Sequence, residues 1–200
     1  DRILIAGTNG RFYTILGANF PGGRGMGEPV RLIVDLPNDA DVVDLMIHRP
    51  GERLIVASSD GDGFIVPADE VVAQTRAGKQ VMNLGDGAVM AACVPVAGDH
   101  VAVASKNRKL LVFPLAELPE MTRGKGVRLQ KYNMTRGRQG VLELDGRLSD
   151  LTTFTLAEGL SWPMPNGNTR TETGIAEWVA KRAGVGRAPP HGFPRDNRFR

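Results

Sequence analysis

Three stretches of the chain follow one plan: LIAGTNGRFYTI (residues 4–15), IVASSDGDGFIV (residues 55–66) and VAVASKNRKLLV (residues 101–112). Each has an aliphatic run, a short polar turn and a second apolar run, which is the pattern of a β-hairpin. Asn9-Gly10 and Asp60-Gly61 suit a two-residue turn with positive φ, and Lys106-Asn107 is a weaker version of it. Aligned on Gly10, Gly61 and Asn107, the copies lie 51 and 46 residues apart.

A basic, glycine-containing turn follows each hairpin and repeats in phase with it. The three turns are GGRGMGEP around Arg24, TRAGKQ around Arg76 and TRGKGVR around Arg123, spaced by 52 and 47 residues. Two unrelated local signals therefore share one period. Self-similarity at this period indicates an all-β, propeller-like array of four-stranded blades, in which each blade buries its apolar face against its neighbours.

The remaining apolar runs supply the other strands of each unit. We expect strands at residues 30–36, 41–48, 81–84, 88–96, 127–132, 141–144 and 152–156, and one helical turn at residues 69–73. The composition then shifts to Pro, Asn, Gly and Arg. We accordingly predict three clear blades plus a remnant over residues 1–160, and an irregular basic tail over residues 161–200. A short helix is expected at residues 175–182, and the composition at the end of the chain predicts a disordered or loosely attached segment.

Charge is unevenly distributed, although the formal net charge is only +3. Residues 1–120 carry 11 basic and 15 acidic side chains, whereas residues 121–147 carry 7 basic and 2 acidic ones. Residues 165–200 carry 7 basic and 3 acidic side chains. An acidic body with a basic seam and tail suits a polyanion that follows one path across the surface.

Cys93 is the single cysteine and lies in an apolar stretch. The chain can therefore form no internal disulfide, which fits a reducing, cytoplasmic setting. A buried, inert thiol is the expected state of Cys93, since no base partner is evident. The opening Asp1-Arg2 leads directly into a predicted strand without Met, which suggests a piece of a longer protein.

The repeated units resemble successive blades of the C-terminal domains of bacterial type IIA topoisomerases. The resemblance rests on GRGMGEPVRLIVDLP (residues 23–37), GDGFIVPADEVVAQTRAGKQVMNL (residues 61–84) and NRKLLVFPLAELPEMTRGKGVRL (residues 107–129). It is closer to the A subunit of topoisomerase IV than to gyrase. It implies a β-pinwheel, a disc in which neighbouring blades exchange strands and a basic outer rim binds and bends duplex DNA.

The resemblance also implies the role and the partners of the domain. The domain would present double-stranded DNA to the catalytic core of its own subunit and to the ATPase subunit, for decatenation and relaxation in chromosome segregation. ATP and magnesium would act elsewhere in that enzyme, so we expect no cofactor, no small-molecule substrate and no catalysis here. A chromosome-organising protein is a further expected partner. The location would be cytoplasmic, at the nucleoid or peripheral to the membrane.

Gyrase domains of this family carry a glutamine-arginine-glycine-rich box that fixes positive wrapping of DNA. The nearest stretch here is residues 121–126, a basic turn of different composition. This departure favours decatenation and relaxation over supercoiling. A gyrase-like wrapping domain and a propeller-like platform for protein partners remain the alternative hypotheses, and the acidic body supports the platform.

Candidate DNA-binding residues are cations of the repeated turns, hairpins and neighbouring strands: Arg11, Arg24, Arg31, Arg76, Lys79, Arg108, Arg123, Lys125, Arg128 and Lys131. Cations beside glycine allow side chains and backbone N–H groups to approach phosphates without reading base sequence. The plainer interpretation is that they are solvated turn residues. Arg11 and Arg108 are interpreted as equivalent hairpin positions, with Asp62 in the second copy.

The sequence gives little support for nucleotide binding, calcium binding or another metal site. GGRGMG (residues 22–27) lacks the Gly-Lys-Ser/Thr ending of a P-loop and the spacing of a dinucleotide fingerprint. Asp60 and Asp62 begin like a calcium loop, but Phe64 and Val71 stand where oxygen ligands are needed. The three histidines lack metal-ligand spacing. We therefore expect no metal site and no catalytic residue.

Overall fold

The computed structural model describes residues 1–200 and contains fifteen strands with very little helix. The elements in chain order are β1 (Arg2–Gly7), β2 (Arg11–Leu16), α1 (Val30–Ile33), β3 (Val42–Ile47), β4 (Arg53–Ser58), β5 (Asp62–Pro67), β6 (Lys79–Gln80), β7 (Met90–Pro95), β8 (His100–Ser105), β9 (Leu110–Pro114), β10 (Val127–Arg128), β11 (Met134–Arg136), β12 (Leu142–Leu144), β13 (Leu148–Phe154), β14 (Leu160–Pro163) and β15 (Thr169–Glu172). A short 3₁₀ helix follows each of four hairpins, at Gly17–Asn19, Ala68–Val71, Leu115–Glu117 and Ile175–Trp178. None of the helices combines the length and apolar character needed to cross a membrane.

The strands form repeated blades, as the repeat predicts. The sheet orders are β3-β1-β2-β6 in the first blade, β10-β5-β4-β7 in the second and β13-β8-β9 in the third, and β14 pairs with β15 in a fourth hairpin. In the first two blades the hairpin lies in the middle of the sheet, whereas in the third blade β9 is the outer strand of a three-stranded sheet. The strands β3, β7 and β13 form one edge, and β7 contacts both of the others. These three strands therefore lie towards the centre of the array, and the opposite edges of the blades face outwards.

The outer strand of each blade comes from the following unit. β6 follows the second hairpin but pairs with β2 of the first, and β10 follows the third hairpin but pairs with β5 of the second. The tail repeats this arrangement, because Val179 and Arg187 form bridges to Val112 and Leu110 of β9. Neighbouring blades are thus joined by backbone hydrogen bonds as well as by side chains. This is the strand exchange that the resemblance implied.

Most of the hydrophobic core lies between the blades, because alternate residues of a strand face opposite sides of a sheet. One cluster joins Leu4 and Phe12 of the first blade to Leu54 and Phe64 of the second. The next cluster joins the second blade to the third, and another joins the third to the fourth hairpin around the buried Trp162. The aliphatic hairpins that set the period in the sequence are therefore also the core.

The hairpin turns differ from the predicted two-residue type. In each, an N–H bonds to the carbonyl three residues earlier, and the residue that closes the turn has positive φ: Gly10 (78°), Gly61 (89°) and Arg108 (67°). Arg108, not Asn107, is therefore the counterpart of the two glycines. The predicted equivalence of Arg11 and Arg108 is wrong by one residue, and Lys109 takes the place of Arg11.

A fourth copy of the same turn lies in the segment predicted to be irregular. Gly167 has a φ of 83° and donates its N–H to Met164, and β14 and β15 flank this turn. The repeat is longer here because the hairpin β11–β12 is inserted between β10 and β13. The insertion obscures the period after Tyr132. The predicted boundary between residues 160 and 161 falls within β14.

Other predictions are also wrong. No strand forms at residues 81–84, because β6 (Lys79–Gln80) ends just before them, and the helix expected at residues 175–182 is a 3₁₀ helix at Ile175–Trp178. Residues 30–36 do not form a strand: Val30–Ile33 is one helical turn whose hydrogen bonds are local, with Leu32 exposed and Val34 buried. The end of the chain is not loosely attached, because Phe193 and Phe199 are buried and stack edge-on beside Trp162. Aromatic packing holds this otherwise polar segment against the third and fourth units.

Candidate nucleic-acid interface

The basic turns of the second and third units lie at the outer edges of the blades. Each turn leads directly into an exchanged strand, β6 or β10, which is the outermost strand of its sheet. We call the turns with these strands, residues 74–80 and 121–131, the rim. Most of the predicted DNA-binding cations belong to it.

The first half of the rim holds Arg76 and Lys79. Both side chains are exposed, and Arg76 donates to the carbonyl of Leu32 at 2.8 Å while its Nε lies 3.6 Å from Asp35. Lys79 donates to the carbonyl of Glu70. Exposed contacts of this kind are weak, so both cations remain available to an anion in solution.

The second half of the rim holds Arg123, Lys125, Arg128 and Lys131, all exposed. Arg123 and Lys131 form no ion pair or side-chain hydrogen bond. Arg128 donates from Nε to Asp62 at 2.9 Å, and Lys125 Nζ lies 3.8 Å from the same carboxylate. The side chain of Asp62 is only 6% exposed. This acid partly neutralises two of the four cations.

Arg11 lies on β2 and forms hydrogen bonds to the first half of the rim. Its guanidinium donates to the carbonyls of Ala77 and Gly78 at 3.0 and 3.1 Å and to the side chain of Gln80 at 3.3 Å. Arg11 of β2 lies directly opposite Gln80 of the exchanged strand β6. In the same way, Asp62 of β5 lies directly opposite Arg128 of the exchanged strand β10. The hairpin therefore holds the exchanged strand by a polar side chain in both blades.

Glycines in the rim are needed for strand exchange. Gly78 and Gly126 have φ of 75° and 83°. A Cβ at Gly78 would lie 2.7 Å from the carbonyl oxygen of Phe12, and one at Gly126 would collide with the carbonyl of Gly63. These glycines let the exchanged strand approach the preceding hairpin, which explains their recurrence without any ligand.

The remaining predicted residues lie off the rim. Arg24 is exposed in the glycine-rich loop. Arg31 donates hydrogen bonds to the carbonyls of Pro37 and Ala40, in the segment after α1. The neighbouring residue Leu32 accepts a hydrogen bond from Arg76, so this segment contacts the rim. The side chain of Arg108 is hydrogen-bonded to residues 193–197 of the tail.

The tail carries a further basic turn that sequence reasoning missed. Gly186 has a φ of 87° and packs against Leu110, as Gly126 packs against the second hairpin. Lys181 and Arg187 are exposed beside it. Arg182 donates to the carbonyls of Glu117 and Arg128 at 3.1 and 2.6 Å. The two glycines of KRAGVGR have the same spacing as those of TRGKGVR, and this shared spacing could have revealed the turn.

Arg108 bonds to that tail rather than to solvent. Its guanidinium donates to the carbonyls of Phe193 and Pro194 and to the side chain of Asn197, and it lies 5.7 Å from the Phe193 ring centre. A phosphate contact by Arg108 would compete with all of these. Its role in DNA binding stays a prediction.

Cys93 and Tyr132 are buried groups with no charged hydrogen-bond partner. Burial raises the pKa of the Cys93 thiol and of the Tyr132 hydroxyl, and Tyr132 donates a hydrogen bond to Gln130. Cys93 is fully buried between the first two blades, so its expected burial is confirmed. Neither group is poised as a nucleophile at neutral pH.

Comparison with known proteins agrees with the repeat. A family described as DNA gyrase C-terminal domain, beta-propeller, matches residues 1–49, 52–97 and 99–143. Each matched segment begins before one of the first three hairpins, so the family's unit coincides with the blade period seen here.

Relatives over the whole chain are topoisomerase IV proteins. The chain is 43% identical over 199 residues to the A subunit of DNA topoisomerase 4 from Rickettsia conorii and 40% identical over 201 residues to that from Caulobacter vibrioides. Each match covers 100% of this chain and 25% of the relative. The chain thus spans about a quarter of the length of these curated relatives.

Solved structures show the same fold. The E. coli ParC C-terminal domain superposes with a TM-score of 0.78 at 24% identity, covering 97% of this chain and 78% of that one. A C-terminal domain of DNA topoisomerase IV superposes with a TM-score of 0.74 at 14% identity, covering 94% and 58%. With the family match and the topoisomerase IV relatives, the chain belongs to the family of DNA gyrase C-terminal domains with the β-propeller fold.

Proposed function

We propose that this domain binds and bends duplex DNA along its rim and performs no catalysis of its own. The observation that carries the proposal is the in-phase repeat of exposed cations at the outer edges of successive blades, at Arg76, Lys79, Arg123 and Lys125. Cations that recur once per blade suit a regular line of phosphates, and they would hold the duplex without reading its sequence.

The rest of the proposed role follows from the relatives. They are named as the A subunit of DNA topoisomerase 4, and this chain would supply the part that delivers a DNA segment to an ATP-driven strand-passage core. Decatenation and relaxation are the proposed outcomes, since the rim turn at residues 121–126 differs from the box that gyrases use for wrapping. The catalytic core and the ATPase subunit would be its partners, in the cytoplasm at the nucleoid.

A paired charge reversal tests the rim. Arg76→Glu with Arg123→Glu removes one cation from each half, and Arg49→Glu with Arg195→Glu makes the same charge change at exposed residues off the rim. The loss of two phosphate contacts corresponds to about 60-fold in affinity at 0.1 M salt. Fluorescence anisotropy with a labelled duplex, over a salt series, measures the difference.

The matched pair of variants separates specific contacts from overall charge. We expect the rim variant to lose at least that factor and to show a shallower salt dependence, while the control changes much less. Equal losses in both variants would show that only net charge matters. Unchanged affinity of the rim variant would contradict the proposal and favour a platform for protein partners.

A further inference from the structure

One element of the disc has no counterpart in the other units, and it is the hairpin β11–β12. It is a separate two-stranded sheet inserted between the rim strand β10 and the central strand β13. Its base is held by two hydrogen bonds between Asn133 and Asp145, at 2.8 and 2.9 Å. Its tip is a tight turn closed by Gly140. The second unit makes the comparable connection, from β6 to β7, without such a hairpin.

One face of this hairpin carries apolar side chains that are exposed to solvent. Met134 pairs with Leu144, and Arg136 pairs with Leu142, so these four side chains share a face. Leu144 packs against the core, but Met134 and Leu142 are both 60% exposed, and Val141 near the tip is 65% exposed. An isolated two-stranded hairpin is only marginally stable in water, and grouped exposed apolar side chains mark a contact surface.

Its charge and position point to DNA as the occupant. Arg136 and Arg138 are exposed at the outer end and form no ion pair or side-chain hydrogen bond. The acid of the hairpin strands, Glu143, shares the opposite face with Thr135. The base of the hairpin begins two residues after Lys131, so the hairpin follows the rim directly in the chain.

We propose that β11–β12 inserts its apolar face into the minor groove of the DNA that the rim holds, and that it kinks the duplex there. The inference rests on the proposed function and adds to it a defined site and mode of bending. Proteins that bend DNA from the minor groove push Met, Leu or similar side chains between base steps, while flanking arginines contact the groove and backbone. Met134 and Leu142 are the wedge, and Arg136 and Arg138 are the flanking cations.

A variant of the wedge separates bending from binding. Met134→Ser with Leu142→Ser removes the apolar side chains and leaves every cation in place. The control, Leu45→Ser with Ile47→Ser, removes two similarly exposed apolar side chains from β3. The probe is a duplex of about 30 base pairs with a dye at each end and 2-aminopurine at a central TA step, where unstacking is easiest. Affinity, energy transfer between the dyes and 2-aminopurine fluorescence are measured on the same samples.

We expect wild type and control to raise both the energy transfer and the 2-aminopurine fluorescence. The wedge variant should bind within about threefold of wild type, because affinity is mostly electrostatic, and lose most of both signals. A wedge variant that bends and unstacks the duplex as wild type does would overturn the wedge alone and leave the rim proposal standing. Failure of wild type to bind the duplex at low salt would overturn both proposals.

Discussion

Asp62 restrains two rim cations, so neutralising it should strengthen DNA binding. The carboxylate lies 2.9 Å from Arg128 Nε and 3.8 Å from Lys125 Nζ, and its side chain is 6% exposed. Asp62→Asn keeps the shape of the side chain and removes the charge. The side chains of Arg128 and Lys125 are 42% and 63% exposed, so they can turn towards an incoming phosphate.

The size of the gain follows from counterion release. One additional phosphate contact adds about 0.9 to the slope of log affinity against log salt concentration, which corresponds to about 8-fold at 0.1 M salt and about threefold at 0.3 M. The same change should cost stability, since a hydrogen bond between charged groups is lost. Because Arg128 is half exposed, we expect a loss of about 1 kcal/mol, a fall in Tm of about 2–4 °C.

Anisotropy titrations of wild type and Asp62→Asn over a salt series measure the gain, and calorimetry measures Tm. Asp86→Asn is the control, because Asp86 is an exposed acid without a cationic partner. A gain in Asp62→Asn that is independent of salt, or one matched by Asp86→Asn, would refute the reasoning that freed cations contact phosphate.

Three further predictions concern the stability of the disc. Gly126→Ala should destabilise the domain by about 3 kcal/mol or more in denaturant titrations, since positive φ and a collision combine, whereas Gly140→Ala, in open space, should cost about 1 kcal/mol. Arg182→Ala removes two hydrogen bonds to carbonyls, so limited proteolysis should release the tail sooner, with a loss of about 1–2 kcal/mol; unchanged cleavage would contradict this. Hydrogen bonds from His100 and from a backbone N–H lower the pKa of Asp99 below its usual value of 3.8. The contribution of Asp99 to stability is therefore fully present above pH 3.8 and is lost as the pH falls further. Asp99→Asn should therefore show a smaller fall in Tm between about pH 5 and pH 2 than wild type does.

The period of the hairpins was enough to predict the blades, because the same aliphatic residues set the repeat and fill the core. The strand exchange followed from the resemblance, not from the residues, since β6 and β10 are only two residues long and carry no periodic signal of their own. The misplaced alignment at Asn107 has a simple cause. Arg108 adopts positive φ where the other copies have glycine, a conformation that arginine rarely takes.

The fourth hairpin and the docked tail were harder to predict. The insertion of β11–β12 shifts the period, and the tail has a composition typical of disorder although Phe193 and Phe199 anchor it. Of the candidate site, the rim cations were found from the repeat. Their partial neutralisation by Asp62 could not be predicted from the sequence, because it depends on the contact between Asp62 and Arg128, which lie 66 positions apart.

Cleavage of bound DNA from a tethered reagent tests the central claim most directly, namely that duplex DNA lies along the rim. Cys93 is buried, so single cysteines introduced as Thr122→Cys on the rim and Leu45→Cys on the central strand β3 can be labelled selectively with an iron chelate. We predict that the label at residue 122 cuts a bound duplex at a few neighbouring nucleotides, and that the label at residue 45 cuts little. Stronger cutting from residue 45 than from residue 122 would contradict the assignment of the rim as the DNA path.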